Sequence, residues 1–124
     1  MSNRLALFLC AWCLASFVDA TEKKDAGRYL ATPLKGDYYV YAGSMAEMQP
    51  PTSKDRKISI MLGGALAKEL FKQLGQDAGH ACSTAPSYHE RRRGDLVCIQ
   101  DEDGYSCYIG LDAISGKSIS GVIC

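Results

Sequence analysis

Four cysteines, Cys82, Cys98, Cys107 and Cys124, gather toward the carboxy-terminal end of the chain, and Cys124 is its last residue. Sulfur at these spacings restricts the possible folds more than any other feature. Leu96–Gln100 and Tyr105–Ile109 are rich in β-branched and aromatic residues, as strands are. Between them lies Asp101-Glu102-Asp103-Gly104, a polar turn ending in glycine. Ser115-Gly116 then separates the second strand from a third, Lys117–Cys124. The stretch reads as a three-strand meander with an arginine-rich entry loop.

Register decides which cysteines meet. A turn centred between Glu102 and Asp103 sets Cys98 opposite Cys107, and one centred between Ser115 and Gly116 sets Cys107 opposite Cys124. Side chains alternate with period two, so all three would share one sheet face. Cys107 bonds only one neighbour, and Cys82 takes the other. Four cysteines allow three connectivities. The preferred pairing is Cys82–Cys98 with Cys107–Cys124, in which the first bridge closes a loop of roughly 15 residues worth about 3 kcal/mol. Cys98–Cys107 with Cys82–Cys124 is the near-equal alternative.

Residues 1–20 read as a signal peptide that directs export. Arg4 supplies the positive start, Leu5 to Ala15 the apolar core, and Val18-Asp19-Ala20 the cleavage site. Cys10 and Cys13 follow Leu9 and Trp12, which a lipid-anchor site disfavours. The apolar run is short for a membrane span, so no span is expected in the mature chain. The expected compartment is the periplasm or the exterior, where disulfides persist. Residues 21–124 then form one disulfide-stabilised domain.

Charge narrows the partners. The chain carries 14 Lys and Arg against 14 Asp and Glu. Removing residues 1–20 takes one base, Arg4, and one acid, Asp19, so the balance holds. A general nucleic-acid binder needs an excess of cations to neutralise phosphates, and that class is set aside.

Asp37–Ala42 reads as a first strand and Lys57–Leu62 as a second, with a Pro50-Pro51 loop between them. Gly63-Gly64 breaks the second strand. Leu66, Ala67, Leu70, Phe71 and Leu74 then form one apolar stripe at helical period, and Gly75 stops the helix. Gln76 to Asp95 shows no period and reads as a long loop pinned by Cys82. The predicted fold is α+β: an antiparallel sheet of about five strands in the order β-β-α-β-β-β, with one helix packed on it. One sheet face should take the helix. The other should carry two disulfides that staple the meander.

Catalytic signals are weak. His80, Cys82, His89 and Cys98 could be written as a zinc set, but the spacing is irregular and export favours disulfides. No G-x-S-x-G elbow accompanies the two histidines, and the acids of Asp101–Asp103 suit a solvated turn. Gly63-Gly64 reads as a strand-to-helix break rather than an anion site. No catalytic residue, metal or cofactor is assigned. Arg91-Arg92-Arg93 is the most unusual local run: its guanidiniums could clamp a partner's carboxylates or phosphates, or pair with Glu90, Asp95 and the acidic turn. Arg93-Gly94-Asp95 spells an adhesion tripeptide that chance explains. Tyr38, Tyr39, Tyr41, Tyr88, Tyr105 and Tyr108 add the aromatic residue that interfaces favour.

The function expected is a small exported, non-catalytic binding protein that engages another envelope protein. Its concrete form is an inhibitor or immunity protein against an envelope-acting enzyme or toxin. Tyr88, Glu90, Arg91, Arg92 and Arg93 are the expected contact residues. A structural envelope component able to self-associate is the alternative, and a small hydrolase stands behind both.

Overall fold

A computed structural model describes residues 30–124. The signal-peptide reading of residues 1–20 and the stretch up to Tyr29 lie outside the described residues. Among the described residues one α-helix packs on an antiparallel sheet, so the fold is α+β. The strands are β1 (Gly36–Gly43), β2 (Met48–Gln49), β3 (Lys57–Leu62), β4 (His89–Arg93), β5 (Leu96–Asp101), β6 (Gly104–Asp112) and β7 (Ser118–Ile119). Helix α1 (Gly64–Leu74) falls between β3 and β4. In space the order is β2-β1-β3-β6-β5-β4, and β7 pairs with β6.

Among the described residues seven strands replace the expected five, because short pairings escape a search for apolar alternation. Strand β2 contributes only Met48 and Gln49. Strand β4 is His-Glu-Arg-Arg-Arg, which no hydrophobic pattern marks. The entry loop is therefore an edge strand over its last part. Gly94 and Asp95 join β4 to β5 in a two-residue turn that sets Arg93 opposite Leu96. Gly94 takes φ +57°, the positive value that a type II′ hairpin needs at its first central residue.

Register also overturns the preferred sulfur pairing. Cys98 does face Cys107 across β5 and β6. The last turn, however, pairs Gly110 with Ile119 and Leu111 with Ser118, two residues out of the expected step. In that register Cys124 never reaches Cys107. The chain leaves the ladder after Ile119 and crosses to the sheet face opposite the helix. A Cβ at Gly121 would meet the Ile109 carbonyl carbon at 2.5 Å, so only glycine permits this crossing. The bonds formed are Cys98–Cys107 and Cys82–Cys124.

Each face is closed differently, and each holds one disulfide, not both on the face away from the helix. Ala67, Phe71 and Leu74 bury against Cys98 and Cys107, with Leu62, Leu70, Leu96 and Tyr105 around them. Burying side chains of the Phe71 and Leu74 type contributes about 1.5–3 kcal/mol each, which holds an 11-residue helix that would be marginal alone. On the other face, Ser59, Glu90, Val97 and Ile99 are buried. There the carboxy-terminal tail binds through its Gly121 carbonyl, which accepts the Ser59 hydroxyl. The Cys82–Cys124 bond ties that tail to the loop before β4.

Candidate binding site

Strand β4 sorts the arginine run by period two. Register sets Arg91 beside Cys98, on the helix side, and Glu90 beside Ile99, on the opposite side. Arg92 therefore points away from Arg91 and Arg93. Adjacent in sequence, the three guanidiniums do not converge on one point.

Glu90 organises the tail side. It is 1 % exposed, and both carboxylate oxygens are engaged. The Tyr88 hydroxyl donates to Oε1 at 2.7 Å, and the Cys82 amide donates to the same oxygen at 3.3 Å. Arg92 Nε donates to Oε2 at 2.7 Å. Burial pushes the Glu90 carboxyl up, but the Arg92 and Tyr88 hydrogen bonds, helped by the Cys82 amide, outweigh it. Its pKa falls below the usual carboxylate value. Burial, then the bond to Glu90, pushes the Tyr88 phenol up to about 12. A buried carboxylate is tolerated only with such partners.

Arg92 reaches further. Its second guanidinium nitrogen lies 3.7 Å from Cys82 Sγ and 4.0 Å from Cys124 Sγ. The Arg92 side chain still keeps 37 % of its surface exposed, so one edge of it faces solvent. Cys82, Glu90 and Cys124 thus place their ligand atoms within 4.8 Å of one another, but the two sulfurs are bonded to each other.

On the helix side, Arg91 is spent internally. It donates to Asp77 Oδ1 at 3.0 Å and to the Phe71 carbonyl at 3.0 Å. Its guanidinium stacks 4.0 Å from the centroid of the Phe71 ring, which meets Tyr105 edge-on at 5.3 Å. His89 Nδ1 lies 2.8 Å from Asp77 Oδ2. The His89 hydrogen bond, then that of Arg91, holds the Asp77 carboxyl below its usual range. The Arg93 side chain is exposed and makes no hydrogen bond or ion pair among the described residues. The four residues weighed as a zinc set and set aside are not brought together: Cys82 and Cys98 belong to different bridges on opposite faces, and His89 pairs with Asp77.

The structure adds a surface that the arginine argument missed. Helix α1 lies over β4, β5 and β6, leaving the β1 and β3 half of the same face uncovered. A shallow apolar groove of about 350 Å³ opens there, lined by Leu34, Tyr38, Ile58 and Ile60. Tyr38 and Tyr39 are 71 % and 60 % exposed on opposite sides of β1. The alternating tyrosines of Asp37–Ala42 were the available signal, but only the placement of α1 reveals that Tyr38 stays uncovered, while Tyr41 is buried.

Compared with known protein families, curated proteins and solved structures, the chain has no match.

Proposed function

We propose that this is a small non-catalytic binding protein that works outside the cytoplasm, in a periplasm or after secretion, by engaging another protein. Two disulfides suit a non-reducing compartment, and among the described residues no helix is long and apolar enough to cross a membrane. The observation that carries the reading is Arg92: a half-open guanidinium anchored on a buried, ionised Glu90, with Arg93 exposed on the other side of the same edge strand. An arginine whose geometry is already set loses less entropy on binding, which is what an interface anchor requires. Its complement is a carboxylate-bearing protein surface. An inhibitor or immunity protein against an envelope-acting enzyme or toxin is the concrete form. Tyr88, Glu90 and Arg91 then hold the edge in shape, and Arg92 and Arg93 make the contact.

Capture from envelope extracts tests this. The native chain should retain a defined acidic partner in a salt-sensitive manner, and Arg93→Glu should reduce recovery about tenfold, since truncating or reversing an interface anchor costs a kcal/mol or more. Equal recovery by Arg93→Glu and by Arg92→Gln removes the reading.

A specific observation favours a second reading, a self-associating structural component. Strand β2 pairs β1 only at Ala42 and Gly43, so among the described residues Gly36–Tyr41 has no strand on its outer side. An open edge is a template for another strand. Lys35 and Asp37 flank Gly36 with opposite charges, which a second copy related by a two-fold axis would pair. Analytical ultracentrifugation should then give a dimer that Tyr38→Lys returns to monomer, and a monomer at high concentration rejects it.

A further inference from the structure

The two disulfides occupy opposite environments. Cys98 and Cys107 are each 0 % exposed and lie beneath α1, where Cys107 Sγ sits 3.4 Å from the Ala67 carbonyl oxygen. Cys82 and Cys124 are both exposed. One guanidinium nitrogen of Arg92 lies within 4.0 Å of both their sulfurs. The reactivity of a disulfide depends on access for an attacking thiolate and on stabilisation of the thiolate that leaves. A neighbouring arginine supplies that stabilisation.

We propose that Cys82–Cys124 is a thiol–disulfide exchange site, opened by an external dithiol while Cys98–Cys107 stays closed, with Arg92 as the positioning residue for the departing sulfur. Attack falls on Cys124 Sγ, the exposed sulfur farther from Arg92, which follows the exposed Ile123. A bond forms between the incoming sulfur and Cys124, and the Cys82–Cys124 bond breaks. Its electron pair passes to Cys82 Sγ, the sulfur nearer Arg92. The second thiolate of the dithiol then attacks the mixed disulfide and releases Cys124. The dithiol loses two electrons and becomes a disulfide, and the protein gains two electrons and takes up two protons from water. The Glu90 carboxylate faces the same sulfurs and disfavours a thiolate there, but its charge is already held by Arg92 and by the Tyr88 hydroxyl. Opening the bond frees the tail from the loop before β4. Tail and loop are then held to the sheet by separate hydrogen bonds, such as Ser59 to the Gly121 carbonyl and the Cys82 amide to Glu90.

The test uses the native full chain under non-denaturing conditions and needs no partner. Dithiothreitol is added, thiols are trapped with iodoacetamide at intervals, and labelled peptides are mapped. Cys82 and Cys124 should be labelled at least about tenfold sooner than Cys98 and Cys107, as an exposed bond precedes a sealed one. Equal rates, or the reverse order, overturn the proposal. Arg92→Gln should slow opening several-fold and Arg92→Lys should largely restore it. A rate in Arg92→Gln equal to that of the native chain removes the arginine from the mechanism. If Arg92→Gln does not fold, the native protein still decides: added salt should slow opening at Cys82–Cys124 by screening Arg92, and a salt-independent rate gives the same refutation.

Discussion

The helix-covered face and the tail-covered face of this sheet bury side chains by different means. Under α1 the cover is apolar: Phe71, Leu74 and Ala67 meet Cys98, Cys107, Leu96 and Tyr105. Under the tail, Val97 and Ile99 are buried too, but the cover is covalent and ionic: one exposed disulfide, one buried carboxylate and its three donors. Apolar burial responds little to pH or moderate salt, and here it seals the Cys98–Cys107 bond from reductant. The tail side answers to all three. A small domain with little core to spare therefore has one robust face and one conditional face.

Removing the tail's covalent link should have the largest effect. Cys82→Ser with Cys124→Ser releases a constraint spanning 42 residues. The chain-entropy relation gives about 4 kcal/mol for that loop, against nearly 3 kcal/mol for the shorter Cys98–Cys107 loop. Urea denaturation of the double variant should show this loss, and dithiothreitol should add little further under conditions that leave Cys98–Cys107 closed. On the other face, Phe71→Ala should cost about 3 kcal/mol, at the low end of the range for a large aromatic because Tyr105 can partly fill the space. That loss should be the same with and without reductant. A reductant-dependent loss would mean that the faces are not independent.

Smaller effects sharpen the ionic half of the contrast. Arg92→Ala should cost about 2 kcal/mol, less than a fully buried ion pair because Tyr88 and the Cys82 amide still hold Glu90. Tyr88→Phe should cost about 1.5 kcal/mol, the low end for a hydrogen bond to a charged group. Titration supplies the sign. The folded Glu90 carboxyl lies below its unfolded value, so its stabilisation is complete above that value and is lost as pH falls through the folded pKa. The Tyr88 phenol is raised to about 12, so its contribution holds below its unfolded value near 10 and falls away as pH rises between the two. Thermal denaturation should show both shifts in the native chain, and Tyr88→Phe should flatten the alkaline one.

The contrast also explains what could be read from the residues. The helix was legible because Leu66, Ala67, Leu70, Phe71 and Leu74 repeat at helical period, and Ala67, Phe71 and Leu74 are the residues it buries. The Asp101–Gly104 hairpin was legible because short turns dictate their own register. Strand β4 was hidden because its partner recognises backbone, and its polar side chains carry no apolar alternation. The sulfur pairing was hidden because it turned on a two-residue shift in the last turn. The arginine run announced charge but not direction, which only strand pairing assigns.

The residues alone determined the class of the fold, the amphipathic helix, the Cys98–Cys107 register and the balanced charge, since each depends on neighbours a few positions apart. Tertiary structure decided that Glu90 is a buried ion, that Arg91 and Arg92 part to opposite faces, and that Cys124 meets Cys82. It also decided that Tyr38 and Tyr39 of β1 stay exposed while Tyr41 is buried. Those outcomes depend on where the chain returns after long excursions. That return is settled by the packing of the whole sheet, because no local preference for turn, strand or helix encodes it.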